Sequence, residues 1–486
     1  MASFPMSPAD AAWYHNDGPA NLAITTGVLL TKKPLEFDKV RAIYLERLAV
    51  FPRFRQRVVE QGFPIAVPCW EDMPHFDIDL HLHHIALAAP YDEEALRVMV
   101  SDVTSSPLDH ALPLWQVQVV DDVLGGSALI MRCHHCIADG SAMMAVAAKL
   151  FDTTPDALHA AQVEETLPKA EPGLFQPVLE GLARVRQGAM GATDAVLATV
   201  THPKEVLDTA TALLGGAGML LGELMTADDT PSPLKGDFSM RKRVAWSQPV
   251  GIKDVKAIGA RHGAKVNDVL VAAMTGALRR YLVQRGVDVN QSTIRAMVPV
   301  DLRQPEHADQ LGNEFGLVIL ELAINKARPE QRLTLTKARM DALKRSPEPL
   351  ASQALLSLLG RVPKAVEDFS NNLFGSKASL VMTNVAGPRE VLYLAGVPIE
   401  RMLAWAPHPG KQLGLAISIL SYQGQASMTV ISDARLLPDP QLIAGYFHHE
   451  FQTMLSALKT PPKKQAPSRS GDARRARKTL KHSVQR

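Results

Sequence analysis

The chain has 486 residues, of which 46% are hydrophobic and 21% charged, so disorder over most of its length is excluded. The formal net charge of +2 is unevenly distributed: residues 461–486 hold nine Lys or Arg against one acid and carry +8, leaving −6 on the first 460 residues. Three cysteines are too few for a disulfide framework, and neither a membrane-spanning apolar run nor a secretory signal is visible, so we expect a cytoplasmic protein.

The first 150 residues mix strand and helix patterns. Alternating apolar and acidic residues predict a half-buried strand over Phe76–Leu80. Two further strands are predicted at Trp115–Val120 and Ala128–Arg132, joined by a glycine turn, and the Ala- and Met-rich segment Ser141–Phe151 predicts a buried helix. The alternation predicts an α/β lobe over residues 1–150.

The rest of the chain predicts a linker, a second lobe and a tail. Residues 151–239 are rich in Ala, Gly and Pro with weak helical patterns, which indicates a crossover linker with helices. Residues 240–460 again alternate, which predicts a second α/β lobe. Its predicted elements are a helix at Asp268–Arg285, strands at Ile294–Val300, Phe315–Ala323 and Ser379–Met382, a hairpin of Leu413–Tyr422 with Gln425–Ser432, and a helix at Asp439–Leu458.

The segment His134–Gly140, which reads His-His-Cys-Ile-Ala-Asp-Gly, carries the clearest chemical signal. It lies between a predicted strand and a predicted helix, and the positive end of a helix keeps a nearby histidine neutral. A neutral imidazole is what a general base needs near neutral pH. Asp139 is expected to hold the loop in shape, and Gly140 to permit an unusual backbone angle. A packed histidine pair is the alternative, and two other His-His pairs lack the Asp-Gly.

The pattern HHxxxDG resembles the signature of the bacterial wax ester synthase/diacylglycerol acyltransferase family, within the CoA-dependent acyltransferases that include chloramphenicol acetyltransferase. Further segments resemble the family in the same order along the chain. They are Ser7–Asp10, Pro52–Arg57, Phe76-Asp77 with His81, Pro113-Leu114-Trp115, Pro233-Leu234 with Arg241, Val266–Leu270, Val298–Arg303, Leu311–Asn313 and Thr383–Pro388. The chain departs from the family pattern at Leu22–Thr25, where a Met-His pair is common, and at Thr383, where Ser is usual.

The resemblance implies an α/β fold of two chloramphenicol acetyltransferase-like lobes that form a pseudo-dimer with a tunnel between them. It implies transfer of a fatty acyl group from acyl-CoA to diacylglycerol or a long-chain alcohol, without a cofactor. His135 would be the general base and His134 its support, while Asp139 would anchor the loop by pairing with Arg303. Cys136 is the alternative nucleophile, although no neighbour in the sequence activates it.

Other positions are expected to bind or orient substrate. Asn267 would donate to the developing oxyanion or position the acceptor, and its simpler interpretation is a helix N-cap. We expect a structural role for Asp268, although its motif also makes it a candidate for substrate binding. The remaining substrate-binding candidates are Pro113, Leu114, Trp115, Gly312, Asn313 and Asn384.

The expected partners are lipids, with no metal. The histidines near His81 lack the Cys or Glu that would complete a metal site. The tail 461–486 is predicted to be disordered and to bind an anionic membrane or lipid-droplet surface, which would make the protein peripheral. Nucleic acid is a weaker alternative for the tail and is not expected, and a tail without a partner is a third. Acyl transfer to another hydroxyl or an amine, or a catalytically silent lipid-surface protein, are the alternative functions.

Overall fold

The computed structural model describes residues 3–48, 50–60, 67–156, 229–303, 310–346, 352, 375–408 and 412–459. Most of the predicted linker, including its helices, lies outside these residues, as does the whole basic tail. Among the described helices, none combines the length and apolar character needed to cross a bilayer.

The described N-terminal half alternates strands and helices in chain order. They are β1 (Ser3–Pro5), α1 (Pro8–His15), β2 (Ile24–Thr31), α2 (Phe37–Ile43), β3 (Gln56–Val59), β4 (Cys69–Asp72), β5 (Leu82–Ala86), α3 (Glu93–Thr104), β6 (Trp115–Val123), β7 (Gly126–His134) and α4 (Gly140–Leu150). A π-helical turn at Tyr44–Leu48 extends α2, and 3-10 turns lie at Pro52–Arg55 and Ile78–Leu80.

The C-terminal half continues the same alternation, so the prediction of an α/β fold is confirmed. Its described elements are β8 (Lys242–Trp246), β9 (Val250–Gly251), α5 (Ile252–His262), α6 (Val266–Gln284), β10 (Arg295–Asp301), β11 (Phe315–Glu321), α7 (Pro329–Leu343), β12 (Leu380–Ala386), β13 (Tyr393–Leu394), β14 (Val397–Trp405), β15 (Leu415–Tyr422), β16 (Gln425–Asp433) and α8 (Pro440–Lys459).

Local chemistry explains several boundaries, including one that the sequence pattern misplaced. The strand predicted over Phe76–Leu80 is wrong, because the Asp77 carboxylate accepts a hydrogen bond from the Asp79 N–H at 3.0 Å and closes a 3-10 turn there. The neighbouring strand, β5, begins only at Leu82. By contrast, α1 begins as its sequence indicates, with Ser7 as N-cap and Pro8 in the first turn.

The N-terminal sheet has the strand order β13-β14-β2-β7-β6-β5. β14 pairs antiparallel with β2, with Trp405 opposite Thr26 and Met402 opposite Leu29. The sheet therefore takes a hairpin, 393–405, from the C-terminal half of the chain. The predicted division instead places all of residues 240–460 in one lobe. The hairpin joins the N-terminal sheet because the backbone groups of β14 form hydrogen bonds with β2.

The C-terminal sheet has the order β11-β10-β12-β15-β16-β8, with β9 also pairing to β16. Its core includes α6, which is buried along most of its length. The sheets meet through β14: the Trp405 indole N–H donates to the Val430 carbonyl at 3.1 Å, and the Ala406 N–H donates to the Ser418 hydroxyl at 3.2 Å. The two halves are thus joined by both strand pairing and side-chain contacts. A small third sheet has the order β1-β4-β3.

Gly126, the first residue of β7, offers a test of the close approach between β7 and β2. A Cβ there would lie 2.0 Å from the Thr31 carbonyl oxygen, whereas a Cβ on Gly125 would meet nothing within 4 Å. Gly126→Ala should destabilise the protein by about 3 kcal/mol or more, because the backbone has to move. Gly125→Ala, at φ +84°, should cost about 1–2 kcal/mol. Thermal and urea unfolding check this order, and equal losses would contradict the close approach.

Candidate active site

The His134–Gly140 turn joins the end of β7 to the start of α4. Backbone hydrogen bonds hold its first residues: the His134 N–H donates to the Leu114 carbonyl at 2.9 Å, and the His135 N–H donates to the Ala23 carbonyl at 2.7 Å. Both histidines are therefore fixed against neighbouring segments of the N-terminal half.

His134 is fully buried and supports the turn from inside. Its Nδ1 accepts a hydrogen bond from the Cys136 N–H at 3.1 Å, so the proton of the neutral ring lies on Nε2, 3.7 Å from an Asp17 oxygen. Burial lowers the pKa of His134, which keeps the ring neutral. These contacts suit the supporting role predicted for His134.

His135 is partly buried at the junction of the two halves. Its Nδ1 lies 2.9 Å from Oδ1 of Asn313, which comes from the C-terminal half. Its ring stacks on Trp13, with centroids 4.0 Å apart and planes inclined by 19°. Burial lowers the pKa of His135 to about 4, so the imidazole is neutral at pH 7.

Asp139 and Arg303, predicted to pair, form a buried salt bridge in the structure. Arg303 Nη2 donates to Asp139 Oδ2 at 2.8 Å, and the same oxygen accepts the Glu314 N–H at 2.9 Å. The other oxygen, Oδ1, caps α4 by accepting the Ala142 N–H at 2.9 Å. Both carboxylate oxygens are therefore engaged in holding the turn, α4 and the 310–314 loop together.

The 310–314 loop crosses over the histidine turn. The Gly312 N–H donates to the Ile137 carbonyl at 3.0 Å, and the Gly312 carbonyl accepts from Arg303 Nη2 at 2.9 Å. Gly312 has φ +107°, a conformation that side chains disfavour. Gly312, predicted to bind substrate, thus lies in the structural junction between the halves.

Gly140 does not have the unusual backbone angle expected of it. It is the first residue of α4, and its φ is not positive, unlike that of Gly312. A Cβ there would meet Val385 Cγ2 at 3.6 Å, an ordinary contact. The start of α4 therefore lies against β12, one residue beyond Asn384.

The Pro-Leu-Trp motif supports the turn from beneath. Leu114 is fully buried and accepts the His134 N–H, while the Trp115 indole donates to the Phe54 carbonyl at 2.8 Å and stacks on His81. Pro113 and Trp115 also line a cavity of about 200 Å³. These residues were predicted to contact substrate, and support of the histidine turn is an alternative role for them.

Asn267 and Asn384 form a second group, on the C-terminal half. The Asn384 amide donates to Asn267 Oδ1 at 2.6 Å. The N-cap interpretation of Asn267 is wrong, because α6 begins at Val266 and its N-cap position is Lys265. Asp268 is buried and accepts the Lys265 N–H at 2.8 Å, which makes it part of the helix start.

These two asparagines line a cavity of about 870 Å³. His135 is not among the described residues that line it, although Val385, which faces Gly140, follows Asn384 on β12. Five cationic side chains contribute to the lining against one acid, Asp254, so the cavity favours an anionic ligand. They are Lys253, Lys256, Lys265, Lys344 and Arg389.

The nucleophile alternative finds no support in the geometry. Cys136 is fully buried, and burial raises the pKa of its thiol well above the ordinary value, so a thiolate is disfavoured. Within the described ranges, no group of three or more His, Cys, Asp or Glu is placed to hold a metal ion.

Sequence reasoning missed Trp13 and Asp10 as parts of this site. Both belong to α1, and Asp10 accepts hydrogen bonds from Asn313. The sequence pointed to this region through the Ser7–Asp10 segment, which resembles the family opening, but the resemblance suggested no role for Asp10. Phe315, whose ring centroid lies 6.1 Å from that of His135, was predicted only as the start of a strand.

The chain matches two domains of one protein family. Residues 6–270 match the wax ester synthase/diacylglycerol acyltransferase catalytic domain, and residues 311–455 match the C-terminal domain of the same family. A probable diacylglycerol O-acyltransferase of Mycobacterium tuberculosis H37Rv is 27% identical over 409 residues, which are 82% of this chain and 84% of that protein. A putative diacylglycerol O-acyltransferase of the same strain is 25% identical over 464 residues, 93% and 92% of the two chains.

Solved structures share the fold. The wax ester synthase/diacylglycerol acyltransferase of Marinobacter aquaeolei VT8 superposes with a TM-score of 0.66 at 20% identity, over 94% of this chain and 100% of that one. The first condensation domain of the calcium-dependent antibiotic synthetase gives a TM-score of 0.60 at 14% identity, over 95% and 97% of the chains.

The buried Asp139–Arg303 pair predicts non-additive mutational effects. Asp139→Ala or Arg303→Ala leaves a buried charge without its partner and should cost about 3–5 kcal/mol of stability. The double variant should lose little more than the worse single variant, because the second change removes a charge already unpaired. Urea unfolding of the four proteins measures this. The exposed Arg41–Asp79 pair is the control, with losses of at most about 1 kcal/mol, and strictly additive losses at the buried pair would contradict the coupling.

Proposed function

Because the chain belongs to the wax ester synthase/diacylglycerol acyltransferase family, we propose that it transfers a fatty acyl group from acyl-CoA to diacylglycerol or a long-chain alcohol. The main support for this proposal is the neutral imidazole of His135, fixed at the junction of the two halves. A separate cavity with a cationic lining adds to it. Relatives named as diacylglycerol O-acyltransferases support the acceptor class.

His135 is the proposed general base. An alcohol attacks a thioester carbonyl poorly unless its proton is removed as the C–O bond forms. The imidazole takes this proton, the tetrahedral intermediate collapses with cleavage of the C–S bond, and the proton passes to the departing CoA thiolate. Both substrates bind at once, so neither a covalent acyl-enzyme nor a cofactor is needed. The raised pKa of the Cys136 thiol supports this route over nucleophilic catalysis.

Asn267 is proposed to act on the developing negative charge. Its Oδ1 accepts the Asn384 amide proton, which fixes the Asn267 side chain and directs the Asn267 amide nitrogen away from Asn384. An amide N–H held in this way stabilises an oxyanion without reorganisation. Positioning of the acceptor hydroxyl is the alternative role for the same group.

Acyl-CoA is proposed to place its phosphates in the cationic cavity. CoA carries phosphate groups at one end and the thioester at the other, so a binding site needs positive charge at a distance from the base. The five cationic residues and Asn384 line one cavity, and Asn384 adjoins the strand residue that faces α4. We infer that a tunnel between pseudo-dimeric lobes connects this cavity with His135.

The basic tail is proposed to attach the protein to a lipid surface. Its charge of +8 contrasts with the −6 of the remaining chain. Each basic residue near an anionic surface contributes about 1 kcal/mol. Peripheral attachment from the cytoplasm would bring an enzyme for lipid acceptors to its substrate. The charge of the tail would also attract nucleic acid, but binding to nucleic acid would not bring the enzyme to its lipid substrates.

Replacement of His135 should slow acyl transfer strongly. Purified protein is incubated with palmitoyl-CoA plus hexadecanol or diacylglycerol, and free CoA and lipid product are followed. His135→Asn should lower kcat by roughly 100-fold or more, since general base catalysis contributes about that factor. The control is His449→Asn, an exposed histidine of α8 whose replacement should leave the rate unchanged.

The outcomes of this assay separate the functions. CoA release with either lipid acceptor supports the proposal, and its loss in His135→Asn supports the base. CoA release that needs another hydroxyl or an amine would replace the acceptor class. No CoA release with any acceptor would favour a silent lipid-surface protein.

Reversal of charge in the cavity should weaken acyl-CoA binding selectively. The Lys253→Glu/Lys265→Glu double variant should raise the KM for palmitoyl-CoA by roughly 5-fold or more, because each change replaces attraction to phosphate by repulsion. The KM for the acceptor should not change. Lys33→Glu, an exposed change outside the cavity, is the matched control, and an unchanged KM for palmitoyl-CoA in the double variant would exclude this site.

Removal of the tail should reduce binding to anionic membranes. A chain ending at residue 460 should bind vesicles containing phosphatidylserine more weakly than the full chain, and the difference should shrink as salt is added. Neutral phosphatidylcholine vesicles are the control. Equal binding of both chains to anionic vesicles would disprove the role of the tail.

A further inference from the structure

A hydrogen-bonded chain leads from α1 to the His135 ring. Asp10 is buried in the first turn of α1, and its Oδ1 accepts two hydrogen bonds from Asn313: one from the backbone N–H at 3.0 Å and one from the side-chain amide at 2.8 Å. The same Asn313 amide nitrogen donates to the His135 carbonyl at 2.8 Å. Asn313 is thus held on the side of its Nδ2 by two acceptors.

These acceptors determine the orientation of the Asn313 amide. If its oxygen took the place of Nδ2, it would face the Asp10 carboxylate and the His135 carbonyl with no hydrogen between them. The oxygen therefore faces His135 Nδ1 at 2.9 Å, and only a protonated Nδ1 makes that contact a hydrogen bond. In the neutral ring, Nε2 then carries the lone pair.

Trp13 restricts the ring in a second direction. It lies one turn after Asp10 on α1 and stacks on the imidazole at 4.0 Å, while Phe315 approaches its edge at a centroid distance of 6.1 Å. The hydrogen bond fixes one end of the ring, and the stacking fixes its plane. The same helix therefore contributes to both restraints.

The geometry points to Asp10 and Asn313 as positioning residues that hold the His135 proton on Nδ1 and present the Nε2 lone pair to the acceptor hydroxyl. The part of this inference that concerns the hydroxyl rests on the proposed function, whereas the protonation of the ring does not. The His135 ring also interacts with its own backbone, which contributes less than Asn313 does. Without the two residues, Nδ1–H would lose its side-chain acceptor, so the second tautomer would become populated, and only one tautomer has its basic nitrogen directed at the substrate.

Nitrogen NMR of histidine measures the tautomer directly. In protein labelled with ¹⁵N-histidine, the His135 signals are identified by their loss in His135→Gln. The unmodified chain should show a protonated Nδ1 and an unprotonated Nε2. Asn313→Ala should show both tautomers, with kcat lowered by roughly 10- to 100-fold and the KM values within about 2-fold.

Two substitutions of Asp10 separate positioning from general support of the fold. Asp10→Asn keeps an oxygen where Asn313 donates, so it should retain the Nδ1-protonated tautomer and stay within a few-fold of the original kcat. Asp10→Ala removes the acceptor and should behave like Asn313→Ala. A purely structural role would lower the thermal midpoint without changing the tautomer.

Each result decides the inference. A His135 ring that stays protonated on Nδ1 in folded Asn313→Ala overturns it, as does the same result in Asp10→Ala. If Asn313→Ala does not fold, the Asp10→Ala and Asp10→Asn pair gives the answer. A confirmed change of tautomer, together with no CoA release from any of the proteins, would contradict the proposed function. It would still support Asp10 and Asn313 as the residues that position the His135 ring.

Discussion

The buried carboxylate of Asp139 is the interaction on which the rest of the site depends. It caps α4 through Ala142, pairs with Arg303 and accepts the Glu314 N–H. A buried charge is stable only with its partners in place, so the histidine turn and the 310–314 loop cannot separate without a large cost. Ser141 adds a link between the halves by donating to Asp301 at 2.5 Å. One charged group thus couples the start of a helix to the junction between the two halves of the chain.

The site is built from three segments that are distant in sequence. The turn supplies His135, the 310–314 loop supplies Asn313, and α1 supplies Asp10 and Trp13. The hairpin 393–405 also joins the two halves, since it extends the N-terminal sheet while its Trp405 contacts β16. His135 directly follows β7 and Asn313 lies two residues before β11, so a strand from each half leads to this hydrogen bond.

Burial has opposite consequences for neighbouring groups in this region. It lowers the pKa of His135 to about 4 and so keeps the imidazole neutral at pH 7. It raises the pKa of the adjacent Cys136 thiol and so disfavours the thiolate. The cationic residues lie instead in the large cavity, where Lys253, Lys256 and Lys265 are exposed and retain their hydration. The molecule thus separates a partly buried neutral imidazole from exposed cationic side chains that suit an anionic group.

Local features of the sequence were sufficient for much of the fold and part of the site. The strands β6 and β7, the helix after Asp139 and the hairpin at Gln423-Gly424 follow from periodicity, capping and turn chemistry, which act over a few residues. The pattern at Phe76–Leu80 misled because Asp77 bonds to its own backbone, which competes with strand formation. The histidine turn was recognised from residue types alone, and Arg303 as the partner of Asp139 came from the family resemblance.

The tertiary structure decided what no local pattern encodes. Asp10 and Asn313 are 303 residues apart in the chain, so neither spacing nor propensity indicates that one orients the other. The pairing of β14 with β2 likewise joins segments far apart in the chain, which no local pattern specifies. The sequence by itself therefore determined the type of most elements, the position of the histidine turn and the charge of the tail. Only the packed fold decided which nitrogen of His135 faces a partner and how burial sets its pKa, because both depend on neighbours brought together in space.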